Sequence, residues 1–240
     1  MSVSSSSAML RVMPREMRLM SERIFSLSSV PKGFFLSIVD LPMYSQKCGL
    51  GGFALLERRF GGFKSADPTR IEIVREEANH ITLSAHGEHA WFVLPTAIDL
   101  LGELTARHGF AELTVQNGTD ADELAVAANY GRRSGLTVTV RGDVLRAEPA
   151  PITGDLPLDD PMLWSLLDKG VEIECDLWWR IYHLAKQALA TDSVVSRRHA
   201  GPMIVNEDGT VIGRKDNDDE TDVSFLSSNL SERIKVGAGS

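Results

Sequence analysis

Two hydrophobic periods divide the chain. Between residues 70 and 94 apolar and polar positions alternate. Arg70-Ile71-Glu72-Ile73-Val74-Arg75 is one such run, and His80-Ile81-Thr82-Leu83-Ser84-Ala85-His86 is a second. Alternation with a period of two marks a half-buried strand. Gly87-Glu88 reads as a short turn and His89 to Leu94 as a third strand, so a three-stranded antiparallel meander is expected. The period then lengthens. Thr96 is a cap with Asp99 three residues on; Ile98, Leu101 and Leu104 form one helical stripe, and Gly109 ends it. Phe110 to Val115 is a strand. Asp120, with Glu123 three residues on, opens a second helix carrying Leu124, Ala127 and Ala128 to Gly135. Leu136 to Val140 is the next strand. The pattern is a mixed α/β fold: a meander, then α-β-α-β with a βαβ-like unit.

The flanks read as helices. Residues 1–27 form a lead-in with apolar positions at Met9, Val12, Met13, Met17 and Met20. Residues 28–65 give two helices around a glycine turn, one with Phe34, Phe35, Ile38 and Val39, interrupted at Pro42, the other with Phe53, Leu56 and Phe60. Pro149, Pro151 and Pro157 mark 147–157 as a linker. Asp159-Asp160-Pro161 then starts a helix that stops at Gly170, and a longer helix from Asp176 presents Trp178, Ile181, Tyr182, Ala185 and Leu189 on one face. Met203-Ile204-Val205 and Thr210-Val211-Ile212 flank Asn206-Glu207-Asp208-Gly209, a C-terminal β-hairpin. The acidic, serine-rich stretch 215–240 reads as a disordered tail. These pieces are expected to make one globular unit, with the α/β core at 67–148 and helices plus hairpin at 155–214.

Charge narrows the partners. The chain of 240 residues has a net charge of −8, which argues against nucleic acid or an anionic membrane as the main partner. No run approaches the roughly 18 apolar residues of a membrane span. The first ten residues lack the apolar stretch of a secretory signal, and the two cysteines, Cys48 and Cys175, make no disulfide framework, so a cytoplasmic setting is expected.

Two constellations carry candidate chemistry. Ser196-Arg197-Arg198-His199, on a Gly-Pro turn after an amphipathic helix, groups cationic donors that suit a carboxylate or phosphate. His80, His86 and His89 are weak metal candidates, because in a meander His86 and His89 would flank one turn. The competing reading is of surface histidines and a solvated basic turn. Asp216 to Glu220 is an acid cluster without the spacing of a calcium loop. No phosphate loop, dinucleotide fingerprint or nucleophile elbow is present, and the sequence leaves the cofactor unknown.

The order of several short motifs resembles a bacterial protein family of unknown function. Ser26-Leu27, Gly49-Leu50-Gly51-Gly52-Phe53-Ala54-Leu55-Leu56, Asp159-Asp160-Pro161-Met162-Leu163-Trp164, Ser196-Arg197 and Asp216-Asn217-Asp218 carry the likeness. The family's alanine-rich, acidic first helix is missing, and a hairpin separates Ser-Arg from Asp-Asn-Asp. The resemblance implies no activity. Two functions follow from the residues themselves. The first is a small-molecule protein, binding or converting an anion at 196–199. The second is a non-catalytic accessory or assembly subunit that meets a protein partner or another copy of itself through its helical flanks, with Phe34, Phe35, Trp178 and Trp179 as candidate contacts.

Overall fold

The structure, a computed structural model, describes residues 8–189 and two short strands, 203–205 and 211–213. The chain divides into two units, Met1–Leu189 and Ala190–Ser240. In the first, the elements run β1 (Met9–Val12), α1 (Pro14–Ser26), α2 (Lys32–Ile38), α3 (Leu41–Lys47), α4 (Gly52–Phe63), β2 (Glu72–Glu77) and β3 (His80–Ser84). They continue with α5 (Ala90–His108), β4 (Ala111–Gln116), α6 (Ala127–Tyr130), β5 (Leu136–Arg141), β6 (Val144–Pro149), α7 (Leu156–Asp159), α8 (Pro161–Lys169), β7 (Val171–Glu174) and α9 (Cys175–Lys186). In the second unit β8 (Met203–Val205) and β9 (Val211–Gly213) form the expected antiparallel hairpin, with Ile204 opposite Ile212.

The mixed α/β class stands, but the third strand of the meander does not. His89–Leu94 is the start of α5. Trp91, Phe92, Val93 and Leu94 are all fully buried, so the run has no polar side to alternate with. A short, continuously apolar run does not separate a buried helix from a buried strand. Pro95 and Thr96, the expected cap, both sit inside this same helix.

The central sheet has the order β2-β3-β4-β6-β5. β3 and β4 are parallel neighbours joined across α5, with Ile81 beside Leu113 and Leu83 beside Val115. That is the βαβ crossover. β4 and β5 are not adjacent: β6 lies between them, antiparallel to both. Residues 147–149, expected to begin a linker, instead complete a central strand, 144–149. Leu145 and Ala147 are buried between exposed Arg146 and Glu148, a true alternation that the prolines masked. The apolar face of the sheet packs on α5 through Ile98, Leu101 and Leu104. Its other face is polar, with Glu112, Thr139, Arg141 and Arg146.

The helical flanks complete this core. Within the 1–27 stretch β1 pairs with β7, and α1 buries Met17, Met20, Ile24 and Phe25. Pro42 does not break a helix; it occupies the first turn of α3, where its missing N–H costs nothing. Phe25, Phe63, Trp91 and Phe92 form an aromatic cluster with edge-to-face pairs, and Phe34 stacks on Phe92. Two polar contacts sew the flanks to the rest. Asp40 takes hydrogen bonds from Arg18 of α1 and from Arg133, and Tyr44 donates to Asp160 at 2.5 Å.

Candidate active-site cleft

Two loops leave the carboxyl ends of the parallel strands β3 and β4, where α/β sheets generally place ligands. They are Ala85–His89 and Asn117–Asp120. Gly87 N–H bonds the Asn117 carbonyl at 2.7 Å, Thr119 N–H bonds Glu88 O at 3.0 Å, and Ala90 N–H bonds Thr119 O at 3.1 Å. His86, Asn117 and Asp120 all have positive φ, with Gly87 at +88°. His, Asn and Asp tolerate the left-handed region better than other side-chain-bearing residues, so the tight turns fall where the sequence allows them.

This double loop faces the C-terminal half of α4 across a cleft of about 220 Å³. Phe63, Ala66 and Phe92 supply apolar wall, and Arg59, Glu88, His89 and Thr119 supply polar groups. The first turn of α5 is closed to ligands. His89 Nδ1 accepts from Trp91 N–H at 3.1 Å, Thr119 O holds Ala90 N–H, and the His89 carbonyl holds Phe92 N–H.

Because Nδ1 accepts, the His89 proton belongs on Nε2. That atom lies 3.3 Å from Asp120 Oδ2, a close but poorly aligned contact. His89 is only 4% exposed, wedged between Phe63 and Trp91. Burial, reinforced by Arg59 and Arg58 against the pull of Asp120, pushes its pKa down to about 4. The ring is neutral at ordinary pH. Asp120 sits under Arg59, whose Nη2 donates to Oδ1 at 3.0 Å while Nε lies 2.7 Å from Oδ2. Burial alone would raise the Asp120 pKa; the Arg59 bond and the neighbouring cations outweigh it and hold the carboxyl below its usual range. Beneath the cleft Glu123, 3% exposed, accepts from Ser45 Oγ at 3.0 Å and Trp91 Nε1 at 2.8 Å, and burial raises its pKa.

Glu88 occupies another wall. Its residue is 7% exposed. Oε1 accepts from Asp67 N–H at 3.2 Å and lies 3.7 Å from Arg70. Oε2 takes no hydrogen bond from the described residues and is not fully buried.

The three histidines singled out for metal binding are engaged separately. His80 meets Thr114 Oγ1 at 3.1 Å, His86 meets Glu72 Oε2 at 3.2 Å, and His89 meets Asp120. Among the described residues no group of three His, Cys, Asp or Glu side chains is placed to hold an ion. Ser196, Arg197, Arg198 and His199, and the acid run Asp216–Glu220, lie outside the described residues. Cys48 accepts from Asn129 and burial raises its pKa, so it is not an activated thiol. No helix among the described residues is long and apolar enough to cross a membrane. Arg59, Glu88 and Asp120 were not visible as a set. Arg59 and Asp120 are 61 residues apart, and each was explained by helix or turn chemistry alone.

No protein-family model matches the chain, and no curated protein is significantly similar to it. Solved structures with partial likeness include malate dehydrogenase from Pyrococcus horikoshii OT3, at 16% identity and a TM-score of 0.43 over 57% of this chain and 41% of that one. Malate dehydrogenase from Entamoeba histolytica has 13% identity and a TM-score of 0.43 over 55% and 38%. Sulfolactate dehydrogenase from Methanocaldococcus jannaschii has 15% identity and a TM-score of 0.41 over 50% and 38%. The aligned part spans about two fifths of the length of those proteins. Likeness of this degree assigns no activity to the chain.

Proposed function

We propose that the protein binds a small organic anion, a carboxylate on a short apolar body, in the cleft between α4 and the Glu88-His89 and Thr119-Asp120 loops. The observation that carries this reading is Arg59, a guanidinium fixed by Asp120 at the edge of an apolar pocket. Nη2 donates to Asp120 and Nε lies 2.7 Å from the same carboxylate, which holds the guanidinium while Nη1 takes no bond from the described residues; a preorganised donor binds with less loss of freedom. Arg58, Arg59 and Arg70 surround Asp120 and Glu88, three formal positive charges against two negative. The cleft volume of about 220 Å³ is below the range of drug-sized pockets, so the ligand is a molecule of few heavy atoms.

His89 Nδ1 is taken by Trp91 N–H, its Nε2 lies beside Asp120 without an aligned hydrogen bond, and the buried ring is neutral at ordinary pH. Binding therefore fits the geometry better than proton transfer to a ligand. In a thermal-shift assay, saturating valerate should raise Tm by a few degrees, as mass action requires for a ligand of the folded state. Arg59→Ala should abolish the rise and Arg197→Ala should retain it. A rise that survives Arg59→Ala, or depends on Arg197 instead, counts against the cleft.

A second reading, a subunit that meets a protein partner through its helical flank, has one observation in its favour. Trp179 on α9 is 52% exposed, with Tyr182 and His183 as its aromatic neighbours among the described residues. The other three aromatics considered for that role are core: Phe35 and Trp178 are buried, and Phe34 stacks on Phe92. Sedimentation of the wild type beside Trp179→Ser distinguishes a self-associating chain from a monomer.

A further inference from the structure

We infer that the cleft selects a zwitterion, an α-amino acid with a small apolar side chain, over a simple carboxylate, and that Glu88 makes the selection. The inference rests on the cleft reading above and adds the second charge of the ligand. Arg59 and Glu88 line the same small cavity, with Phe63, Ala66 and Phe92 completing it. A guanidinium and a carboxylate on one apolar pocket match a molecule that carries an anion, a cation and a short hydrocarbon body.

Glu88 is the informative member. Its side chain is largely buried, but Oε2 is not sealed off, so that oxygen is open to a donor from a ligand or from water. The carboxylate has one backbone donor, on Oε1, and the Arg70 contact at 3.7 Å to that same oxygen is too long for a hydrogen bond. Oε2 is left without a donor among the described residues. The hydrogen bond from Asp67 N–H needs only an acceptor, which glutamine would supply, and the charge partner the fold gives this acid is the largely exposed Arg70 at 3.7 Å. An ammonium group brought by the ligand gives Oε2 a charged donor, the stronger class of hydrogen bond. A carboxylate ligand without an amine would instead place a second negative charge in the cavity beside Glu88. At short range and reduced dielectric that repulsion is substantial.

The two charges also divide the labour between the elements. Arg59 comes from α4 and takes the carboxylate end. Glu88 comes from the β3–α5 loop, tied to Thr119 through its own carbonyl, and takes the ammonium end. Phe63 and Phe92 are left for the side chain. The cavity volume limits that side chain to a few carbons.

Isothermal titration of the full chain with norvaline, valerate and butylamine tests the inference, on wild type and on Glu88→Gln, which keeps the Asp67 acceptor. Norvaline should bind wild type about tenfold or more tighter than valerate, the scale of one charge-assisted hydrogen bond. Glu88→Gln should weaken norvaline and strengthen valerate, so that the order narrows or reverses. Valerate binding as tightly as norvaline overturns the zwitterion while leaving the cleft as an anion site. An amine advantage that survives Glu88→Gln overturns the role of Glu88. Failure of both carboxylates to bind overturns the cleft itself.

Discussion

His89 carries a large part of the account at the residue scale. Its pKa falls from the ordinary 6.5 to about 4 on folding, chiefly because it is buried. A depressed pKa adds stability above the unfolded value, and that stability is lost as pH falls from about 6.5 towards 4. The full linkage is on the order of 3 kcal/mol. Urea unfolding between pH 7.5 and 4.5 should show this slope in wild type, and His89→Asn, which keeps a capping acceptor, should lose most of it. Glu123, with a raised pKa, acts oppositely at the lower end of the range, so the comparison with the variant is the decisive one. Trp91→Phe should cost about 1–3 kcal/mol, because it leaves the buried Glu123 without its indole donor. The sequence marked His89 as unusual, but for its spacing from His86 rather than for its burial. Its real role as helix cap depends on Trp91 being the second residue of a helix, and the apolar run hid that helix. Arg59 was illegible for a different reason: its partner is distant in sequence, and turn chemistry accounted for Asp120 without it.

Elements whose period is carried by alternating apolar and polar residues were readable: β3, β4 and β5 fall close to where alternation put them. Where one residue type filled a whole run, as at 90–94, the period carried no information and α5 passed for a strand. β2 is the strand that alternation predicted, but not a half-buried one. It alternates but is wholly exposed, with Ile73 and Val74 on the outer edge of the sheet. Glycines punctuated the helices correctly without revealing why they are needed. A Cβ on Gly52 would overlap the Pro42 carbonyl and lie 2.8 Å from Gln46 N, where α4 crosses α3. Gly52→Ala should therefore lower Tm sharply, by several degrees or more, since overpacking costs about 1–3 kcal/mol. Gly33→Ala, in α2 with open space around it, should be neutral or mildly stabilising by calorimetry.

For the molecule as a whole, the sheet order was the least legible feature. β6 inserts between β4 and β5, and no local signal in 144–149 states which strands it will join. Long-range polar contacts share that property. Asp40 gathers Arg18 and Arg133 from segments 22 and 93 residues away. Asp40→Ala strands both cations, though each is partly exposed and regains water. The expected loss is about 1–3 kcal/mol by urea unfolding, between the costs of breaking buried and surface pairs. The candidate site belongs to this scale too, being assembled from α4, the β3–α5 loop and the loop after β4. Its location is best tested by following the backbone amides of the full chain by ¹⁵N NMR during titration with norvaline. Shifts concentrated at Arg59, Gly62, Phe63, Gly87 to His89 and Thr119 are the expected result. Shifts centred on Arg197 to His199, or none at all, would contradict the assignment of function to the Arg59–Asp120 cleft.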